Sequence, residues 1–351
     1  MISITPLAAQ EYFAEITEKI SSAVKGDRVA LTSMTFDPQE SGMAALMGAL
    51  RDAAEHGAQV TLLIDAHSFM FQTGGWPNGP SLWPIQLNQH TARYYQRKLR
   101  VIESLQKAGC TVQIINEPHG LHNPYGGRSH IKLTVINNLS YLGGCNLSGD
   151  DTADMMLRLD DKSTTAYLYD QVAAIAKTKR TRDALQADQS HSVDEQTTLY
   201  IDQGKPGQSL IYARALQLID DAQEYIVMTC QYFPDRLTMQ HLERAIKRGV
   251  KVELYFNHPL HTKQEQPLKP IHWLRLRHAR LRYPTILFKH MLPRSCPYLH
   301  LKLIATEQGA ILGSHNYVEV GVRFGTAEIA LIRMNQGFSQ ELIKKVQLLL
   351  N

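Results

Sequence analysis

Two histidines, His130 and His300, each stand two residues before a lysine, Lys132 and Lys302. In extended backbone, residues i and i+2 project to the same side. Each pair therefore sets an imidazole, able to take or release a proton near neutral pH, beside a fixed positive charge. Displacement at a phosphodiester calls for that combination: a nucleophile on one side of phosphorus and an acid for the departing oxygen on the other. Neutral imidazole can attack, and imidazolium can protonate an alkoxide. The lysines can hold the charge of the non-bridging oxygens through the transition state. This set of groups calls for no metal and no cofactor.

A single H-x-K is weak evidence in a chain with 15 histidines. The frame around these two is stronger. "SHIKLTVINNLSYLGGCNLS" (Ser129 to Ser148) and "LHLKLIATEQGAILGSHNYV" (Leu299 to Val318) both read H-x-K-L, then eight residues, then L-G, then an asparagine after two more residues. His130 to Asn146 and His300 to Asn316 both span sixteen residues, so Asn146 and Asn316 add amide donors for the same phosphate oxygens. A third H-x-K, His261–Lys263, has no L-G-x-x-N behind it and reads as a surface loop.

The elements that must position these residues repeat as well. "RVALTSMTFDP" (Arg28 to Pro38) matches "YIVMTCQYFPD" (Tyr225 to Asp235), an apolar strand closing on an aromatic residue and a proline. Amphipathic helices follow, with Met43, Leu46, Met47, Leu50 and Ala54 on one face before Gly57, and Met239, Leu242, Ala245 and Ile246 before Gly249. Then come the strands "QVTLLIDA" (Gln59 to Ala66) and "KVELYFN" (Lys251 to Asn257). Two α/β halves result, 1–177 and 207–351, with polar residues 178–206 as a linker and one active site between the halves. The first half inserts an aromatic, Gly- and Pro-rich stretch, Ser68 to Gln89, before a helix from about Thr91 to Ala108. The second inserts the arginine-rich "HWLRLRHARLRYP" (His272 to Pro284).

At its H-x-K and L-G-x-x-N residues the chain resembles the phospholipase D superfamily, whose signature is H-x-K-x4-D followed by a G-S/G-x-N segment. "TCQYFPD" (Thr229 to Asp235) resembles a strand of the cardiolipin synthase branch. The resemblance implies two pseudo-twofold-related α/β/α sandwich half-domains with the site at their interface. It implies a phosphohistidine intermediate, with His130 as nucleophile and His300 as general acid. Asp154 in "DDTADMMLRL" and Glu328 in "GTAEIALIR" match the carboxylates that orient the histidines. Ser314 joins Asn146 and Asn316 in the substrate-binding set. Two positions depart from the pattern: the motif aspartate is Asn137 in one half and Glu307 in the other, and the serine of the second segment is Gly144 in the first half.

The formal net charge of +4 on 351 residues is too small for a polycation, so an anionic partner must be met by local clusters. The four cysteines, Cys110, Cys145, Cys230 and Cys296, form no C-x-x-C, which fits a reduced, cytoplasmic chain. The N-terminal stretch carries Glu11, Glu15 and Glu18 and lacks a signal-peptide core, and no window reaches membrane-span length. Peripheral attachment to the inner face of the membrane is expected instead, through Trp76, Trp83, Trp273 and Arg275. His119 and His122 lack further ligands at zinc spacing. The leading function is a phospholipid phosphodiesterase or phosphatidyltransferase that takes an alcohol or water as acceptor. The alternative is a metal-independent nuclease or DNA-end-processing enzyme, and the third is a binding protein that retains the fold, against which the intact His/Lys pairs argue.

Overall fold

The computed structural model describes residues 2–70, 89–117, 126–150, 152–185, 187–257, 274, 277, 278, 281, 291, 292 and 297–350. Trp76, Trp83, Trp273, Arg275, His119, His122, His261 and Lys263 lie outside the described residues.

The first half contributes β1 (Ser3–Ala8), α1 (Ala9–Ser21), β2 (Arg28–Ser33), α2 (Met43–Glu55), β3 (Gln59–Asp65), α3 (His67–Met70), α4 (Gln89–Lys107), β4 (Thr111–Ile115), β5 (Leu133–Ile136), β6 (Leu139–Gly143), β7 (Thr152–Ala153), β8 (Met155–Asp160) and α5 (Lys162–Thr178). After α6 (Thr181–Ala184), the second supplies β9 (Gln189–Asp194), β10 (Thr197–Gln203), α7 (Leu210–Asp221), β11 (Tyr225–Cys230), α8 (Arg236–Lys247), β12 (Lys251–Asn257), β13 (Met291–Leu292), β14 (Tyr298–Leu299), β15 (Leu303–Thr306), β16 (Ala310–Gly313), α9 (Glu319–Phe324), β17 (Ala327–Arg333) and α10 (Gln336–Leu350).

One sheet runs β1-β8-β6-β5-β2-β3-β4, and the other, read from the matching edge, runs β10-β17-β16-β15-β11-β12-β13 with β9 added outside β10. Strand for strand the orders are the same, and in both only the last three strands are parallel. The strands are apolar at almost every position because both faces are covered. In β2, Ala30 enters a core shared by the two sheets, while Val29 and Leu31 pack under α1 and α2. In β11, Val227 enters that same core while Ile226 and Met228 pack under α7 and α8. Leu168, Val172 and Ile175 of α5 and Phe338, Leu342 and Val346 of α10 fill the shared middle layer. Each half is thus an α/β/α sandwich, and the halves meet across a common apolar core.

Residues 178–206 are more than a linker. They contain α6 and the hairpin β9–β10, and β10 is the counterpart of β1. Leu199 and Ile201 enter the shared core, while Tyr200 packs with α7. The polar sequence of β9 misleads because an edge strand stays largely accessible to water. Among the described residues, no helix is long and apolar enough to cross a membrane.

Candidate active site

Both H-x-K triplets lie in the extended lead-in to a strand, one residue before β5 and before β15. Each lead-in pairs with the opposite half. Tyr298 and Leu299 run parallel to Thr152 and Ala153, and the His300 amide donates to Ala153 O over 2.9 Å. In the other direction Ser129 bridges to Ala327, and the His130 amide donates to Ala327 O over 2.7 Å. In both receiving segments the next residue is the predicted carboxylate. The crossing therefore exchanges partners: His130 Nδ1 meets Glu328 at 2.9 Å, and His300 Nδ1 meets Asp154 at 2.6 Å. A carboxylate accepts only, so it selects the Nδ1–H tautomer and leaves each Nε2 free for chemistry.

Further contacts fix the lead-ins. Thr32 donates its hydroxyl to Ile131 O and Thr229 to Leu301 O, both over 3.1 Å, which clamps the middle residue of each triplet. Asp65, at the end of β3, accepts the Ser129 backbone amide at 2.7 Å, the His67 backbone amide at 2.7 Å, the Asn116 side-chain Nδ2 at 2.8 Å and the Arg128 guanidinium at 3.1 Å. Its counterpart at the end of β12 is Asn257, which accepts the Leu299 amide at 2.9 Å and donates to Leu299 O at 2.6 Å. Asp65, Arg128 and Asn257 escaped the sequence reading. A polar residue closing both matched apolar strands is the signal that could have found Asp65 and Asn257.

The two lysines are fully buried, and each ammonium donates to the carbonyl of its own histidine, Lys132 over 3.0 Å. Burial, with Lys302 close by, lowers Lys132 to about 7. Burial and the charges of Lys132, Lys302, His300 and His315 hold His130 well below the ordinary histidine range. His300 is lowered to about 4 by burial and Lys302, against the opposing pull of Asp154. Burial raises the Glu328 carboxyl, whereas Asp154, despite its burial, is drawn down by His300 and Lys302. The crossed His130–Glu328 and His300–Asp154 contacts bring both H-x-K pairs to one interface.

The departures from the expected motif have structural reasons. Asn137 accepts the Arg28 amide at 3.1 Å, and Glu307 accepts the Gln223 amide at 2.9 Å, so both tie the turn after the motif strand to the neighbouring strand's start. Ser314 is fully buried and donates its hydroxyl to Glu328, where it steadies the carboxylate under His130. In the first half, Asp154 leans into the corresponding space, and a Cβ on Gly144 would lie 2.0 Å from its Oδ1. Asn146 accepts the Thr35 amide at 3.3 Å, while the buried Oδ1 of Asn316 has no hydrogen-bond partner among the described residues. His315, in the position of Cys145, is buried behind Glu328, stacks on Tyr212 and accepts the Tyr317 amide at 2.9 Å.

The model of the family described as cardiolipin synthase, PLD-like domain, matches residues 16–175 and 215–349. Among solved structures, a phosphatidylserine synthase from Haemophilus influenzae superposes with a TM-score of 0.70 at 16% identity, over 98% of this chain and 84% of that one. A polyphosphate kinase from Porphyromonas gingivalis gives 0.56 at 12% identity, over 99% of this chain and 50% of that one. No curated protein matches by sequence. With both repeats inside the matched family model and both carrying their histidine, lysine and carboxylate at one interface, the chain belongs to the phospholipase D-like family of the cardiolipin synthase domain.

Proposed function

We propose that the protein is a phosphatidyltransferase that moves a phosphatidyl group through a phosphohistidine on His130. The observation that carries this reading is the exchanged pair of carboxylate-held imidazoles, each with a buried lysine bonded to its own carbonyl. Nε2 of His130 attacks phosphorus while Glu328 keeps the proton on Nδ1. The P–O bond to the leaving alcohol breaks, and its oxygen takes the proton from Nε2 of His300. An acceptor alcohol then loses its proton to His300 as its oxygen attacks phosphorus and the N–P bond breaks, which returns both rings to their starting states. Lys132, Lys302 and the amides of Asn146 and Asn316 balance the non-bridging oxygens. His300 sits low in the free site because burial, and then the charges of Lys302 and Lys132, disfavour the imidazolium. An incoming phosphodiester anion offsets that repulsion and allows His300 to hold the proton it must deliver.

The test is incubation with a phospholipid panel plus alcohol acceptors and, separately, with single-stranded DNA, each with and without EDTA. Head-group exchange that survives chelation supports the proposal. DNA cleavage without lipid turnover would transfer the protein to the nuclease reading. Incubation with a p-nitrophenyl phosphodiester, whose leaving group needs little protonation, followed by a quench and mass spectrometry, should reveal an acid-labile adduct on His130 in His300→Ala. An adduct on His300 in His130→Ala would reverse the two roles.

A further inference from the structure

On the outer face of the first half, α2 and α4 lie against each other. Ala44, Gly48 and Arg51 of α2 face Arg97, Arg100 and Ser104 of α4 across a groove of about 520 Å³. Both sets follow the i, i+4, i+7 or i, i+3, i+7 spacing of a single helix face. The groove is open because Ala44 and Gly48 on α2 and Ser104 on α4 are small. An added Cβ on Gly48 would meet nothing within 4 Å. Its floor is apolar, with Met47, Val101 and Leu105.

The rim is cationic. The side chains of Arg97 and Arg100 make no hydrogen bond or ion pair with any other described residue. Arg51 pairs with Asp52 at 3.2 Å, but both side chains are about half exposed, so that pair neutralises it weakly. Glu55, Glu103 and Lys107 face a second cavity of about 470 Å³, which also touches Arg51 and Arg100. The acidic groups thus gather toward the C-terminal ends of the two helices. At the other end Pro38 and Gln39 close the groove, shortly after Thr35, whose amide holds Asn146 of the active site.

We propose that this groove docks the protein on an anionic phospholipid bilayer, with a lipid phosphate between the guanidinium groups and the glycerol end over the apolar floor. The inference rests on the phospholipid reading above. Guanidinium is the side chain best matched to phosphate. A nucleic-acid backbone would call for cations repeated along a track, whereas here three converge on one apolar-floored recess.

Gly48 offers a gentle test, since replacing a helical glycine relieves backbone entropy and the added side chain has room. The full chain and its Gly48→Ala, Gly48→Glu and Arg97→Glu/Arg100→Glu variants are floated with vesicles of phosphatidylcholine, alone or mixed with phosphatidylglycerol. Wild type and Gly48→Ala should bind the mixed vesicles and release them as salt rises, while the other two lose roughly tenfold or more in binding. Turnover of a soluble p-nitrophenyl phosphodiester should stay unchanged in all of them. Gly48→Glu binding like Gly48→Ala overturns the inference. So does a protein whose arginine variants lose affinity only for an oligonucleotide. Wild type that floats through these arginines yet never turns over a phospholipid sinks the proposed function and leaves the docking groove standing.

Discussion

Gly144→Ala is the most informative change for the idea that each half's carboxylate serves the other half's histidine. The new Cβ would lie 2.0 Å from Asp154 Oδ1 and 2.7 Å from its Cγ, so the carboxylate must move by about 1 Å or more to reach ordinary contact. Oδ2 holds His300 Nδ1 at 2.6 Å and Oδ1 holds the Met155 amide at 2.8 Å. A shift of ~1 Å takes these contacts to or beyond the limit of a hydrogen bond. Loss of one charge-assisted bond costs about 1.5–3 kcal/mol, which is a drop of roughly 10- to 100-fold when it is felt in the transition state. The loss should be large with a poor alkoxide leaving group and small with p-nitrophenolate, because only His300 is unseated. The second half supplies a rescue: Ser314 coexists there with a glutamate. Gly144→Ser combined with Asp154→Glu should recover much of the rate, whereas Gly144→Ser alone should not. Steady-state turnover of both substrates, alongside urea unfolding of each variant, checks this. Gly144→Ala turning over an alkyl diester within twofold of wild type would refute the reasoning.

Lys132→Met and Lys302→Met each remove a buried charge from the phosphate site and should cost on the order of 3 kcal/mol, about 100-fold in kcat/KM, with Lys263→Met as a silent control. Because Lys132 is lowered to about 7, its charge is present below that pH and disappears above it. The kcat/KM of wild type should therefore fall as pH climbs through about 7, and a pH profile of Lys132→Met should lack that alkaline limb. Asp65→Ala leaves Arg128, only 5% exposed, without its carboxylate, and should destabilise the fold by about 3–5 kcal/mol in urea titrations. Asp65→Asn, which keeps an acceptor for Ser129, should cost less.

The parts of this protein written in short-range pattern were legible from the chain. The placement of His before Lys, the sixteen-residue interval to Asn146 and Asn316, and the 3.6- and 2-residue apolar periods all express contacts within one or two elements. The strand expected from Arg28 became β2, the helix expected from Met43 became α2, and the same holds for β11 and α8. Even so, the polar strand β9 passed as linker, because an edge strand carries no buried alternation to betray it. Asp154 and Glu328 could be named from their positions, but not paired. Each lies in the half opposite the histidine it holds, 146 and 198 residues away along the chain. Ser314 read as a donor to phosphate, yet the fold turns its hydroxyl toward Glu328. Asp65 likewise finds Arg128 across 63 residues. No local propensity encodes such contacts. They exist because two apolar sheet faces share one core, and closing that core brings the polar ends of both halves to a single interface, where each buried charge takes the partner the other half presents.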